Sequence, residues 1–400
     1  MNSRSKFVVV MSSTFLVILL LLGSVMSKGA PAESGTGVYR HIAVYTEVLS
    51  RIKSEYVEEP DMKNVTLGAL NGMLEAIDPF ASYLNADQYK EYLKNFDTYR
   101  GDLGLVLAKK FGYIAVVGSV PGSPGAKAGL TTGDMIETIK GVATRDMPLA
   151  YANLLLRGQP GSTIEMTVLR RKPEPQKMSL TRAAIAYPPV ISKLLPNNIG
   201  YIQPQTLANG KVKEVAAALT DLQKKGARKF VLDLRNCAVG APEDGVDLAN
   251  LFLDKGLITY LQGQRFPRKD FQADSKKAIA NLPLIVIANR GTASGAEIAA
   301  AALLNSKRSE VVGERTYGDA SVRQAVSMDD GGAVILSVAK YYSPDGKAIQ
   351  DNGVTPGTPV AEPDSAVELD EDGNPVGKDE PEKKPTEDLL LKKALELLNK

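Results

Sequence analysis

Residues 42–77 carry apolar side chains at intervals of three and four, which is the spacing of one helix face. The first set is Ile42, Tyr45, Leu49, Ile52 and Tyr56, and the second is Leu67, Leu70, Leu74 and Ile77. The pattern predicts two amphipathic helices. We therefore assign residues 29–98 to a helical amino-terminal region, which also contains the turn-bearing stretch DPFASYL at 78–84.

At residue 99 the pattern changes to short runs of strand-forming residues separated by glycine. YIAVVGSV and STIEMTVLRR predict strands, and the glycine- and proline-bearing PGSPGAKAGL predicts a turn between them. We expect residues 99–172 to fold as a small separate β module.

Residues 184–358 alternate between strands and helices. KFVLDLRN, LPLIVIAN and AVILSVAKYY predict strands, and VKEVAAALTDLQKKG predicts a helix with Val212, Val215, Leu219 and Leu222 on one face. This alternation predicts a layered α/β domain, and the chain as a whole an α/β multidomain protein. Beyond it, residues 359–385 have the composition of a charged, solvated linker, and residues 386–400 predict a terminal helix.

The amino terminus has the pattern of a membrane-targeting segment. Arg4 and Lys6 precede an apolar run that ends near residue 26, followed by the small-residue stretch SKGAPAES. The run is longer than a usual cleaved signal but is interrupted by polar residues, so residues 1–28 fit either a signal peptide or a membrane anchor. Either one places the rest of the chain outside the cytoplasm, in the periplasm or cell envelope.

Composition removes several classes of function. The 48 basic and 46 acidic residues are interspersed and leave a net charge of +2, so no field of one sign favours nucleic acid. With one cysteine, Cys237, and one histidine, His41, the chain can form neither an internal disulfide nor a Cys/His metal site. No phosphate-binding glycine loop followed by lysine occurs, so we expect no nucleotide and no other cofactor.

The chemistry-bearing stretch is NRGTASGAEIAAAALLN, residues 289–305, which follows a predicted strand. A strand that ends in a glycine-bearing turn before a helix is where α/β folds place a nucleophile, and Ser294 stands in that turn. The same residues also fit a capping box, in which Ser294 caps the third amide and Glu297 reaches back. The pattern alone leaves both roles open.

The stretch SPGAKAGLTTGDMIETIKG, residues 123–141, resembles the PDZ domain. PDZ domains bind an extended peptide as an added strand, and a glycine-containing loop presents backbone amides to its terminal carboxylate. In this chain the corresponding loop and strand start are GDLGL. The resemblance therefore implies peptide-binding residues Gly101, Asp102, Leu103, Gly104 and Leu105.

DLRN, NRGTASGAEI, GERTYG and YYSPDGKAIQDNGVTP, in this order after the PDZ-like module, resemble the carboxyl-terminal processing peptidases, which are tail-specific serine proteases. The resemblance covers nearly the whole chain after residue 40. It implies a ClpP/crotonase-like layered α/β protease core and a serine–lysine dyad. It also implies that Ser294 is at the nucleophile position, with oxyanion-hole amides from Gly295 and from Val239.

The active-site motifs depart from that family at three positions. The family's lysine in GKGxVQ corresponds to Asp319, its glutamine to Arg323, and the first glycine of NPGG to Val239. Aspartate, with an ordinary pKa of about 3.9, is too weak a base for a serine hydroxyl. A valine also resists the unusual backbone angles that glycine allows. The resemblance thus implies the family but not its catalysis.

Two functions remain open from the sequence. In one, the chain is a weakly active or inactive pseudopeptidase scaffold that binds carboxyl-terminal tails of exported proteins, as a homo-oligomer or beside an active homologue. In the other, it is an active serine endopeptidase whose base comes from elsewhere. Within the chain, the candidates for such a base are Lys340 and Lys307.

Two further hypotheses concern Asp319 itself. Asp319 and Arg323 could have been exchanged together and now form a salt bridge that closes the former base pocket. Asp319 could instead contribute to a metal site with Glu314 or Asp329, although no ligand cluster of metal-site spacing is visible.

Overall fold

The computed structural model describes residues 33–95, 98, 100–110, 112–145, 147–170, 174–362, 368–369, 375–376 and 387–399. The targeting segment expected at residues 1–28 and most of the expected linker lie outside these residues. Within them, no helix combines the length and apolarity needed to cross a bilayer.

Of the described residues, those up to Thr66 form one compact unit and those from Leu67 onward form a second. The first unit consists of helix α1 (Glu33–Glu55) and the start of α2 (Met62–Glu75), which continues into the second unit. Both predicted helices are therefore present. The apolar positions of α1 do not enter a core, since Ile42 is 53% exposed and Tyr56, just beyond the helix, is 63% exposed.

The stretch DPFASYL, for which the sequence predicts a turn, also contains a strand. Its last residues form strand β1 (Ser82–Leu84), which is buried and pairs antiparallel with β16 (Ala333–Tyr342) of the carboxyl-terminal part of the chain. Helix α3 (Ala86–Asn95) follows directly. The amino-terminal lead-in is thus built into the second unit, because pairing with β16 satisfies the strand's backbone groups.

The β module is a separate sheet with the strand order β2-β3-β4-β6-β7, and β5 pairs with β4. Its strands are β2 (Leu105–Lys110), β3 (Tyr113–Ser119), β4 (Met135–Ile139), β5 (Val142–Ala143), β6 (Thr163–Leu169) and β7 (Gln176–Thr181). Its helices are α4 (Pro124–Lys127) and α5 (Leu149–Leu156).

The module extends further than the boundary expected at residue 172. Strand β7 pairs with β6 over six positions, from Thr163 opposite Thr181 to Val168 opposite Gln176. The charged stretch RKPEPQ has the composition of a linker, but β7, which begins at its last residue, belongs to the same sheet.

The core domain is built on a sheet with the order β17-β14-β13-β10-β9-β8, parallel except where β8 meets β9. Its strands are β8 (Ile191–Leu195), β9 (Ile199–Gln203), β10 (Lys229–Asp233), β13 (Leu284–Ala288), β14 (Glu310–Gly313) and β17 (Thr358–Pro359). The predicted layered α/β architecture is confirmed.

Both faces of this sheet are covered, which explains why the central strand β13 is apolar and buried at every position. On one face Phe230 and Leu232 of β10 pack against α6 (Lys211–Lys224), α7 (Pro242–Asn250) and α8 (Gly295–Asn305). The intervening Val231 points to the other face. Helix α6 buries Val212, Val215, Leu219 and Leu222, as the spacing predicts.

A second, antiparallel sheet borders this core. It consists of β1, β16, β11 (Leu257–Gln262) and β12 (Lys269–Gln272), with β15 (Ser321–Ser327) paired to β16. Strand β15 begins two residues after Asp319, so the candidate base position lies just before an edge strand of this sheet.

The predicted terminal helix is α9 (Leu389–Leu398), shorter than the expected 386–400. It covers the second face of the main sheet, with Leu390, Ala394 and Leu398 against β9, β10, β13 and β14. Part of the expected linker forms a short strand pair, β18 (Glu368–Leu369) with β19 (Pro375–Val376).

Leu390→Ala should destabilise the core domain by roughly 2 to 5 kcal/mol, because the side chain is 1% exposed and its loss leaves a cavity. Leu389→Ala is the matched control, since its side chain is 41% exposed, and it should change the free energy of unfolding far less. Urea unfolding of both variants measures the difference. Equal losses would show that α9 is not held by burial of this face.

Candidate active site

Ser294 stands at the sharp turn between β13 and α8 with a backbone conformation of φ 56° and ψ −127°. A residue with a side chain rarely adopts a positive φ, and such strain costs about 1 to 3 kcal/mol. A serine that only capped the helix would sit in extended backbone. The conformation is that of a nucleophile turn, which lifts the serine out at the edge of the sheet.

The hydroxyl of Ser294 does not serve as the cap. Ser294 Oγ donates to the carbonyl oxygen of Gly240 at 2.9 Å and makes no side-chain cap hydrogen bond. The other half of the predicted capping box is present, since Glu297 Oε2 accepts from the Ser294 amide at 3.1 Å. The expectation that the serine caps the third amide is therefore wrong, because that amide bonds to the Ser294 carbonyl at 3.0 Å.

Glu297 is the most heavily bonded group of the site and is 0% exposed. Besides the Ser294 amide, its carboxylate accepts from the amide of Gly318 at 2.7 Å, the amide of Asp319 at 2.8 Å and the hydroxyl of Thr316. The glutamate thus ties the start of α8 to the loop that precedes β15. Sequence reasoning recognised Glu297 only as a capping partner.

Burial raises the pKa of Glu297 to about 7, because a charge removed from water is costly. The hydrogen bonds from Thr316, Asp319 and Gly318 favour the ionised form and oppose this effect, while the charge of Asp319 adds slightly to it. Burial also raises the pKa of the neighbouring phenol of Tyr317, with smaller contributions from Asp319 and Glu297.

Asp319 lies beside the serine, where the family resemblance places the lysine. The amides of Ser294 and Asp319 bond to the same oxygen of Glu297, at 3.1 and 2.8 Å, so the two backbones are direct neighbours. The Asp319 side chain forms an ion pair with Arg323, whose Nη2 donates to Asp319 Oδ1. The hypothesis that these two residues form a salt bridge agrees with this geometry.

Arg323 is positioned by a β-bulge in its own strand and by contact with an aromatic ring. A β-bulge between Val322 and Arg323 interrupts the pairing of β15 with β16, and bulges commonly redirect a side chain beside a site. The guanidinium lies over the ring of Phe80 at 4.0 Å from its centroid, and that ring meets Tyr317 edge-on at 6.1 Å. Arg323 Nε is buried and has no hydrogen-bond partner among the residues that the structure describes.

Neither candidate replacement lysine reaches the serine. Lys340 Nζ bonds to Asp351 Oδ2 at 2.7 Å, in a surface ion pair. Lys307 follows the carboxyl end of α8, whose 11 residues make it roughly 16 Å long, while Ser294 is at the amino end. Within the described part of the chain, the hydrogen-bond partner of the Ser294 hydroxyl is a carbonyl and not an amine.

The two candidate oxyanion amides flank the serine. Neither the Val239 nor the Gly295 amide donates to an acceptor among the described residues. The Val239 carbonyl accepts from Leu207 at 2.7 Å, which fixes the loop, and Gly295 opens α8, where the helix dipole favours negative charge. A β-carbon at Gly295 would lie 2.4 Å from the Ala241 carbonyl, so this position requires glycine.

The expected peptide-binding loop stands at the end of a groove between β2 and α5, with a cavity volume of about 370 Å³. Leu105 and Leu107 line it from β2, and Leu149 and Leu154 from α5. Asp319, Arg323 and Phe80 line its other side, so the groove of the β module opens directly onto the ion pair beside the serine.

Several amides of that loop already have acceptors. Gly101 and Gly158 exchange backbone hydrogen bonds at 2.9 Å, and the Asp102 amide donates to the Ala183 carbonyl at 2.9 Å. The Gly104 amide donates to Asp102 Oδ1 at 2.9 Å, and Gly104 has the positive φ, 69°, expected of such a loop.

No group of three or more His, Cys, Asp or Glu side chains positioned to hold a metal occurs among the described residues. Glu314, one of the expected partners of Asp319, bonds instead to Arg290 at 3.3 Å, and Asp319 bonds to Arg323. The carboxylates of Glu314 and Asp319 are thus directed to different cations.

Comparison with known proteins finds a matching family for the core domain and for the β module. Residues 198–360 match the model of peptidase family S41, and residues 116–170 match that of the PDZ domain. The chain is 33% identical over 318 residues to the carboxy-terminal processing protease CtpA of Bacillus subtilis. The aligned region covers 79% of this chain and 68% of CtpA. It is 30% identical over 347 residues to the carboxy-terminal-processing protease of Bartonella bacilliformis, covering 85% and 79%.

A solved structure shares the fold. The photosystem II D1 C-terminal processing protease superposes with a TM-score of 0.64 at 27% identity, over 80% of this chain and 92% of the other.

The buried Glu297 should make stability depend on pH. Its pKa is raised in the folded state, so between pH 4.5 and 7 the folded protein holds a proton that the unfolded chain has released, and stability from this group falls as pH rises through that window. Glu297→Gln cannot titrate and should be less stable than wild type. Its deficit should shrink by roughly 3 kcal/mol from pH 4.5 to 7.5.

Urea unfolding of wild type and Glu297→Gln at a series of pH values measures this difference, and contributions of groups that do not interact with Glu297 cancel between the two proteins. A deficit that stays constant over the series would contradict a raised pKa at Glu297.

The strain at Ser294 predicts an unusual glycine effect. Ser294→Gly should be more stable than Ser294→Ala by about 1 to 2 kcal/mol, because only glycine relieves the positive φ. Ser306, which ends α8 at φ −73°, is the control, and there the alanine variant should be the more stable. Thermal or urea unfolding of the four variants measures these differences. If the alanine variant is more stable than the glycine variant at both positions, the backbone at Ser294 is not strained.

Proposed function

This chain belongs to peptidase family S41, the family of the carboxy-terminal processing proteases, and we propose that it binds extended peptides without cleaving them at an appreciable rate. The observation that carries the proposal is the Asp319–Arg323 ion pair at the position of the family's lysine. In this proposal Ser294 keeps the backbone geometry of a nucleophile but has lost the group that would activate it.

Activation of a serine needs a base within hydrogen-bond reach of its hydroxyl. The Ser294 hydroxyl donates to the Gly240 carbonyl, which cannot take its proton. Asp319 is engaged by Arg323 instead. By analogy with catalytic triads, loss of the base lowers turnover by roughly 10⁴ to 10⁶.

The aspartate also reverses the charge beside the oxyanion site. A lysine there would be positive after it accepts the serine proton, whereas Asp319 is a carboxylate balanced by Arg323. The amides of Val239 and Gly295 could still stabilise an oxyanion, so a small residual activity is compatible with the geometry.

Peptide binding is supported by the PDZ groove. Its apolar walls from β2 and α5 suit side chains of an extended strand, and its mouth reaches Arg323 and Asp319. A peptide bound along β2 would therefore lie against the former base site. We propose that the groove holds tails of other proteins while the S41 core serves as scaffold.

The expected partners and location are part of the same proposal. The name of the related structure states that it processes the D1 carboxyl terminus of photosystem II, and the relatives are named for carboxy-terminal processing. We propose that this chain binds carboxyl-terminal tails of exported proteins in the periplasm or cell envelope, attached by or exported through residues 1–28. A homo-oligomer or a complex with an active homologue would supply avidity.

The alternative is an active serine endopeptidase whose base is supplied by another subunit. The strained conformation of Ser294 and the two available amides favour this second function, since both belong to catalysis. The two proposals differ in whether the wild-type chain cleaves.

A reversion experiment separates them. We expect wild type and Ser294→Ala to cleave an unfolded reporter with an apolar tail at the same negligible rate, and Asp319→Lys/Arg323→Gln to cleave at least about 100-fold faster. The rate follows from the appearance of the cut reporter by mass spectrometry. Loss of the gain when Ser294→Ala is added would assign it to the serine.

Asp329→Asn is the control at an exposed position, because it raises the net charge by one unit as the double reversion does, and it should leave the rate unchanged. Cleavage by wild type that Ser294→Ala abolishes would falsify the pseudopeptidase proposal and require a base from outside the chain.

A further inference from the structure

Asp102 places a carboxylate inside the loop that PDZ domains use to bind a peptide's terminal carboxylate. Its Oδ1 accepts from the Gly104 amide at 2.9 Å, and its Oδ2 lies 3.6 Å from Arg157 Nε. Both oxygens are thus engaged within the loop and the end of α5. The side chain is 30% exposed and lines the groove.

This arrangement occupies one of the amides that a bound tail would use. PDZ-type capture depends on loop amides that point together at an external carboxylate. Here the Gly104 amide is taken by Asp102, while the amides of Gly101 and Asp102 donate to Gly158 and Ala183. The loop carries its own anion.

The loop cannot easily rearrange to release that amide. Gly104 holds φ at 69°, and a β-carbon there would lie 2.5 Å from the Ser123 β-carbon, so its backbone is packed against the start of α4. The Gly104 carbonyl also accepts from Val120 at 2.8 Å. An incoming carboxylate would have to displace Asp102 or lie next to its negative charge, and like charges in contact repel.

We propose that Asp102 occupies the carboxylate site of the PDZ domain, so that the groove binds extended segments whose α-carboxylate lies elsewhere. The preferred occupant is an internal stretch of a tail. The apolar walls from β2 and α5 contact its side chains, and its free carboxylate is not recognised. This inference rests on the proposed peptide binding and adds the class of peptide that the groove accepts.

The test uses the full chain and fluorescein-labelled peptides ending in two valines and an alanine. One peptide ends in a free carboxylate, one in a carboxamide, and a third carries extra residues after the same sequence. Fluorescence anisotropy gives Kd for wild type, Asp102→Ala, Asp102→Asn and the surface control Glu165→Ala.

Wild type and Glu165→Ala should bind the three peptides within about threefold of one another. Asp102→Ala frees the Gly104 amide and should bind the free acid at least about tenfold more tightly than the carboxamide, a difference of about 1.4 kcal/mol. Asp102→Asn keeps an acceptor for Gly104 and should remain within about threefold.

Three results would overturn the inference: a tenfold preference of wild type for the free acid, no gain in Asp102→Ala, or a gain in Asp102→Asn as large as in Asp102→Ala. If no variant binds any of the peptides, the proposed peptide binding fails as well. Binding without end preference in wild type and in Asp102→Ala would leave the proposed function standing and remove only the role of Asp102.

Discussion

The site depends on the buried carboxylate of Glu297 and the donors that surround it. This one group joins the amide of Ser294 at the strained turn to the amides of Gly318 and Asp319 in the loop before β15. An unpaired carboxylate in this position would be costly, so the donors must remain in place for the fold to be stable. The positions of Ser294 and of the loop before β15 are therefore fixed relative to each other.

The same bonds hold the loop in place independently of the side chain at residue 319. The donors from Gly318 and Asp319 are backbone amides, which every residue except proline supplies. The loop is thus held whether residue 319 is a lysine or an aspartate. The side chain of Asp319 then needs only a counter-ion, and Arg323 provides it. Arg323 lies near the start of β15 and stacks on Phe80.

Sequence patterns predicted the modules, the buried strands, the helix face of α6 and the turn at Ser294, because each depends on residues close together in the chain. They did not predict that Glu297 accepts from Gly318 and Asp319, or that Phe80 lies under Arg323, because those contacts join distant segments. The return strand β7 was hidden behind a charged stretch that resembles a linker. The role of Asp102 was missed because the loop motif does not reveal where a side chain bonds.

The most direct test of an unactivated serine is its reaction with a fluorophosphonate, which labels activated serines covalently. Intact-mass spectrometry of the wild-type chain after incubation would count the adducts, and peptide mapping would locate them. The account predicts no adduct at Ser294 beyond the level of other surface serines, because its hydroxyl bonds to the Gly240 carbonyl and has no base. Stoichiometric labelling of Ser294 would contradict it and show that a base reaches the serine in solution.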